Sequence, residues 1–183
     1  MATTEVISTR HDHHQTDSLS SFGLLVLRIA TGATMLQAGL IKAFDLDAAV
    51  SFMEGSGWKM SKFAAILVTA AETAGGIGLL LGLLTPIAAC AIIAAMIDAW
   101  AVNVSAAAFW SDPFNVPFLA GLGAMTLLFT GAGAYSVDAK VFGRSRWPGF
   151  VTVALFVVAI AAAVATWVLL NGTNPIHLEK SAA

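Results

Sequence analysis

The chain holds a single cysteine, Cys90, and its four histidines, His11, His13, His14 and His177, all fall outside its apolar blocks. One cysteine excludes an internal disulfide, a dithiol relay and a self-contained iron–sulfur site. Histidines confined to the ends cannot clamp a haem between apolar helices. A phosphate-cradling loop is missing as well, because the "GGIG" of residues 75–78 lies inside an apolar run, where glycine serves packing. No cofactor is therefore intrinsic to the sequence. Electrons that pass through this protein must be carried by a bound quinone or by a partner. Charge is also scarce, with Asp, Glu, Lys and Arg only 11% of the 183 residues and a net charge of −2, so nucleic acid is not an expected partner.

What fills the chain instead is hydrocarbon, since 58% of the residues are hydrophobic. The apolar residues gather into five blocks, approximately 21–44, 63–84, 87–109, 116–134 and 148–170. Each approaches the roughly 20 helical residues that cross a bilayer core. Lipid offers no partner to backbone N–H and C=O groups, and the blocks lack the alternation of a barrel strand, so helices are expected. The fold class is an all-α polytopic membrane protein. Short links at Thr85-Pro86 and at "WSDPFN" (110–115) make sequential helices antiparallel neighbours.

Between the blocks, residues 45–62 mix apolar and charged side chains and suit a short amphipathic helix at the interface. The polar residues 1–20 read as a disordered tail rather than a cleaved leader. Its "RHDHH" has metal-ligand types, but a spacing without a scaffold fixes no coordination geometry, and no metal site is assigned. Residues 171–183 form a second polar tail. The loop 140–147 carries Lys140, Arg144 and Arg146, and clustered cations favour the cytoplasmic side. With five crossings, the N-terminus is then cytoplasmic and the C-terminus external. Trp58, Trp110 and Trp167 fall at one face and Trp147 at the other, as interfacial anchors do.

Three charges lie at depth: Arg28, Glu72 and Asp98. Insertion scales put such groups at roughly 2.5 to 3.5 kcal/mol each at a helix centre, so they are expected to face one another or a wet cavity. At about 100° per residue Arg28, Gly32, Met35, Gly39 and Lys42 share one stripe, with Gln37 opposite. In the second block Ala71, Gly75, Gly78 and Gly82 form a small-residue stripe that lets a neighbouring backbone approach. Glu72 sits at its edge. The expectation is that Arg28 reaches Glu72, with Asp98 nearby. Such a cluster is either an ion pair that fixes register or a pocket, including Lys42, that binds a polar head group or relays protons.

Three stretches resemble the DoxX family of small bacterial membrane proteins: "LRIATGATMLQAGLIKAF" (27–44), "ETAGGIGLLLGLLTPIAA" (72–89) and "FTGAGAYSVDA" (129–139). The resemblance covers residues 22–139. It implies a four-helix core over residues 21–139, to which residues 148–170 add a fifth, C-terminal transmembrane helix. It also implies a bacterial inner (plasma) membrane, thiosulfate:quinone oxidoreduction, or membership of membrane oxidoreductase assemblies in oxidative-stress defence. Arg28 or Lys42 could then donate to a quinone carbonyl, and Glu72 or Asp98 could supply a proton.

Three functions follow from these residues. The first is a subunit that anchors a larger membrane complex and contributes a quinone site; the second, a quinone-linked oxidoreductase subunit; the third, a small transporter or proton channel. Tyr135 and Asp138, just past the fourth block, are secondary site candidates, against a reading in which Asp138 caps the next short turn. Asp112 and Asn115 are capping candidates ahead of Pro117.

Overall fold

The computed structural model describes residues 2–106 and 113–171, with side chains placed for 18–104 and 113–171. The first helix, α1 (Ala2–Phe44), begins well before the first apolar block. The stretch expected as a disordered tail thus continues the helix, and no glycine or proline precedes Gly23 to interrupt it. Its membrane-length part is Ser18–Phe44. The side chains of "RHDHH", together with Trp110, Asp112 and the second tail from residue 172, lie outside the described residues.

Asp45 ends α1 and opens α2 (Leu46–Gly55), accepting from the backbone N–H of Ala48 at 3.0 Å. This is the expected amphipathic helix: Ala49 and Met53 are buried, while Asp47, Ser51 and Glu54 are exposed. Next comes α3 (Ser61–Leu81), which stops at Gly82 in the left-handed conformation, φ 62°. Only glycine adopts that angle without strain. The turn therefore lies at 82–84, earlier than Thr85-Pro86, and Thr85 already begins α4 (Thr85–Ala106). Pro86 in the first turn costs nothing, because that N–H has no intrahelical acceptor.

Asn115 caps α5 (Val116–Thr130), its carboxamide oxygen accepting from Phe118 N at 3.2 Å. At fifteen residues α5 is shorter than the other spans, roughly 22 Å long at the helical rise. The block expected to run to residue 134 breaks at Gly131 and Gly133, whose φ of 87° and 76° lie in the left-handed region. The unwound residues Gly131, Ala132 and Gly133 are buried, the condition for irregular backbone in a membrane protein. A single turn, α6 (Val137–Val141), leads through the basic loop to α7 (Gly149–Thr166), which ends in a π turn at Trp167–Asn171.

Four helical stretches are long and apolar enough to span a membrane, and α5 is a shorter apolar fifth. The protein is thus a polytopic all-α membrane protein. Lengthwise, α1 packs on α3, α3 on α4, and α4 on α5, while α7 lies chiefly against α4. Around α4 gather Met35, Leu79, Ile92, Met96, Leu127 and Leu128. A second cluster, with Met53, Trp58, Ala65, Trp167 and Leu170, joins α2 to the end of α7.

Candidate functional site

Close glycine contacts fix how α1 meets α3. A Cβ on Gly32 would fall 2.8 Å from Leu80 N, and one on Gly76 would fall 2.5 Å from Leu36 N. Gly39 abuts Thr73 in the same way. In this antiparallel register Arg28 lies beside the end of α3, and Lys42 lies beside Glu72. The two cations are separated by roughly 21 Å of helix.

Arg28, 2% exposed, donates from every guanidinium nitrogen to backbone carbonyls. Nε reaches Leu79 O at 2.9 Å and Nη2 reaches Leu80 O at 2.7 Å; Nη1 reaches Ala132 O at 3.0 Å and Tyr135 O at 2.8 Å. The first pair belong to the last turn of α3, where carbonyls lack their regular helical donors; Leu79 O also accepts from the cap amide Gly82 N at 3.1 Å. The second pair belong to the unwound chain after α5. Asp138, fully buried, performs the opposite service for α4, accepting from Leu84 N at 2.7 Å and Thr85 N at 2.9 Å, and from Trp147 Nε1 at 3.0 Å. Together they form a structural clasp on the α3–α4 turn.

That arrangement corrects two expectations. Arg28 does not pair with Glu72, because the helix register puts them at different depths. Asp138 does not cap its own short helix; Ser136 does, accepting from Ala139 N at 3.1 Å, and Asp138 caps α4 from a distance. Tyr135 contributes its carbonyl while its ring is half exposed.

The other buried charge is Glu72, 3% exposed, whose Oε2 accepts from Lys42 Nζ at 2.7 Å. Lys42 Nζ also donates to Ala38 O at 3.3 Å. This pair and Asp98 line a cavity of about 670 Å³ at the α2 end of the bundle. Met35, Met53, Val68 and a row of alanines from α4 supply most of the remaining wall, and Ile41, Phe52 and Leu67, all exposed, lie at its margin. Asp45 and Asn103, also exposed, share this lining, so its margin carries polar as well as apolar residues. Asp98 is half-buried and makes no hydrogen bond or ion pair among the described residues. A mostly apolar cavity of this volume with a few convergent polar groups has the form of a small-molecule site.

Of the sequence candidates, the cavity collects Lys42, Glu72 and Asp98 and leaves out Arg28, Tyr135 and Asp138. Gly32 and Gly39 face α3; Gly75 and Gly78 face Ile92 and Ala88 of α4; Gly82 is the cap of α3 and packs against the Arg28 guanidinium. Gly76, which belongs to the second stretch of the family resemblance and not to the small-residue stripe, meets the Leu36 backbone of α1 and differs from its neighbours Gly75 and Gly78 only in facing. One residue escapes sequence reasoning as part of the site. Trp58 also lines the cavity and is 7% exposed, although its loop position suggests an exposed anchor. Its edge packs on Trp167, with ring centroids 5.6 Å apart.

Residues 23–105 match the family model DoxX. No curated protein and no solved structure matches the chain. The matched segment takes in the spanning part of α1, all of α2 and α3, and α4 to its last turn. It excludes α5, α6 and α7, so the resemblance expected to reach residue 139 is shown over its first two motifs.

Proposed function

We propose that this chain, whose residues 23–105 match the DoxX family model, is a membrane subunit whose cavity at the α2 end receives the head of a quinone-class amphiphile on behalf of a larger redox or stress-related assembly. The observation that carries this reading is the cavity itself. It is large enough for a ring and part of its tail, apolar over most of its wall, marginal to lipid, and furnished with Lys42, Glu72 and Asp98. A bilayer-borne ligand would enter past Ile41 and Leu67 without crossing water. Lys42 is the donor for a carbonyl, and Asp98 is the group placed to exchange a proton, since Glu72 is engaged by Lys42. Quinone chemistry would supply the electron carrier that the chain's own side chains lack. Arg28 has no part in this reading, because its donors are committed to backbone carbonyls. The setting is the bacterial inner membrane, with the N-terminus cytoplasmic and the C-terminus external.

Gentle detergent extraction followed by mass spectrometry tests the reading. Quinone travelling with the chain, together with stoichiometric membrane partners, is the expected result. A chain that emerges alone and without quinone would remove its support.

A further inference from the structure

A second, smaller hollow lies beside the Arg28 and Asp138 clasp, and none of its residues lines the cavity described above. It is a groove of about 280 Å³ between Leu84 and Ile87, at the start of α4, and Phe150, Ala154 and Leu155, at the start of α7. Trp147, just ahead of α7, completes the wall. No polar group lines it, and Phe150 and Ala154 are exposed, so the groove is open at the face of α7.

Two of its walls hang from one carboxylate. Asp138 Oδ1 accepts from Leu84 N at 2.7 Å, and Oδ2 accepts from Trp147 Nε1 at 3.0 Å. The groove is therefore shaped before anything enters it. The same residue fixes a cation next to it: Arg144 N donates to Asp138 O at 3.1 Å, and the Arg144 guanidinium lies over the Trp147 ring, 5.5 Å from its centroid. Lys140 and Arg146 are exposed in the same loop and, like Arg144, form no ion pair among the described residues. Asp138 is the only acid of residues 131–147, and it is fully buried and already accepts from three donors. The loop thus offers three cations to an anion from outside.

We propose that the groove and the basic loop bind an anionic phospholipid, with part of an acyl chain between α4 and α7 and the phosphate on Arg144. Lys140 and Arg146 add to the attraction. Charge complementarity chooses this occupant, because a zwitterionic lipid fills the groove as well but brings a cation of its own against the loop. A guanidinium meets a phosphate through two parallel donors, and Trp147 stands at the headgroup level where tryptophan anchors spanning helices. Basic side chains next to a spanning helix attract anionic lipid heads in just this setting. The site goes beyond the cavity reading and does not depend on it.

The test uses the full chain in detergent, with phosphatidylglycerol and phosphatidylcholine of identical chains as probes and native mass spectrometry as the readout of bound lipid. The wild type is expected to hold phosphatidylglycerol about tenfold more tightly than phosphatidylcholine. Arg144→Gln should weaken phosphatidylglycerol about fivefold and leave phosphatidylcholine unchanged, and glutamine at Lys140 and Arg146 as well should bring the two lipids level. Ala154→Phe, which fills the groove, should also weaken phosphatidylglycerol about fivefold or more. Glycerol phosphate, the head without chains, should displace no bound lipid. All of these substitutions change exposed side chains, so unfolding curves recorded without added lipid should superimpose on the wild type's.

Equal retention of the two lipids by the wild type overturns the proposal. So does wild-type retention of phosphatidylglycerol by Ala154→Phe, which would seat the lipid elsewhere. Displacement by glycerol phosphate overturns it too, since the loop would then be a site for a free phosphate and the groove would have no part.

Discussion

Arg28 donates to four carbonyls because a planar guanidinium presents donors in a fixed fork. A lysine can reach only a subset of them. Arg28→Lys should therefore lower stability by about 2 kcal/mol or more, seen as a lower unfolding temperature in detergent, even though charge is conserved. The cavity charges should behave differently from one another. Glu72→Gln leaves Lys42 without its carboxylate, and breaking a buried pair costs about 3 to 5 kcal/mol. The Lys42 side chain is 27% exposed, so a smaller loss than that is expected here. Asp98→Asn removes no observed partner and should change stability by less than about 1 kcal/mol while weakening ligand binding. Equal destabilisation by both substitutions would show that Asp98 has a structural partner.

The stripe Arg28, Gly32, Met35, Gly39 and Lys42 on α1 was legible in the sequence, as was the exposure of Gln37, because helical angle follows from residue spacing alone. Which charge meets which was not legible, because depth and register are not angular quantities. Depth counted from the 82–84 turn would have put Glu72 about ten residues down and Arg28 near that turn. Glycines set the register, with Gly76 against the Leu36 backbone and Gly39 against Thr73. Gly76→Val should force α1 away from α3, since its first added carbon would meet Leu36 N at 2.5 Å. Loss of the folded monomer in detergent is the expected outcome, whereas Gly23→Val, at a position with nothing within 4 Å, should fold normally.

For the molecule as a whole, the two polar constructions sit at opposite ends of the bundle. The Arg28 and Asp138 clasp ties α3, α4 and the post-α5 chain near the basic loop, and the cavity lies at the other end, beneath α2 and the π turn. This separates what holds the bundle from what it can bind, so cavity substitutions can be tested without breaking the clasp. It also makes orientation measurable. In a Cys90→Ala background, a cysteine at Lys140 should label from the cytoplasmic side and one at Lys59 from the opposite side, using membrane-impermeant maleimide on intact cells and on inverted vesicles. Labelling of both positions from one side would contradict the crossing pattern.

The sequence by itself determined the membrane class, the number and order of the apolar helices, the amphipathic α2, the Asn115 cap and the resemblance to the DoxX family. Each follows from local composition, periodicity or short motifs. The tertiary structure decided that Arg28 serves backbone carbonyls, that Lys42 answers Glu72, that Asp98 stands in a cavity wall with no partner among the described residues, and that α7 reaches back to hold Trp58. Those outcomes depend on the axial register of helices packed through glycine, and on an unwound segment after α5 whose freed carbonyls needed a donor. A chain's hydrophobic pattern reports which side of each helix is buried, but only packing sets how far one helix slides along another.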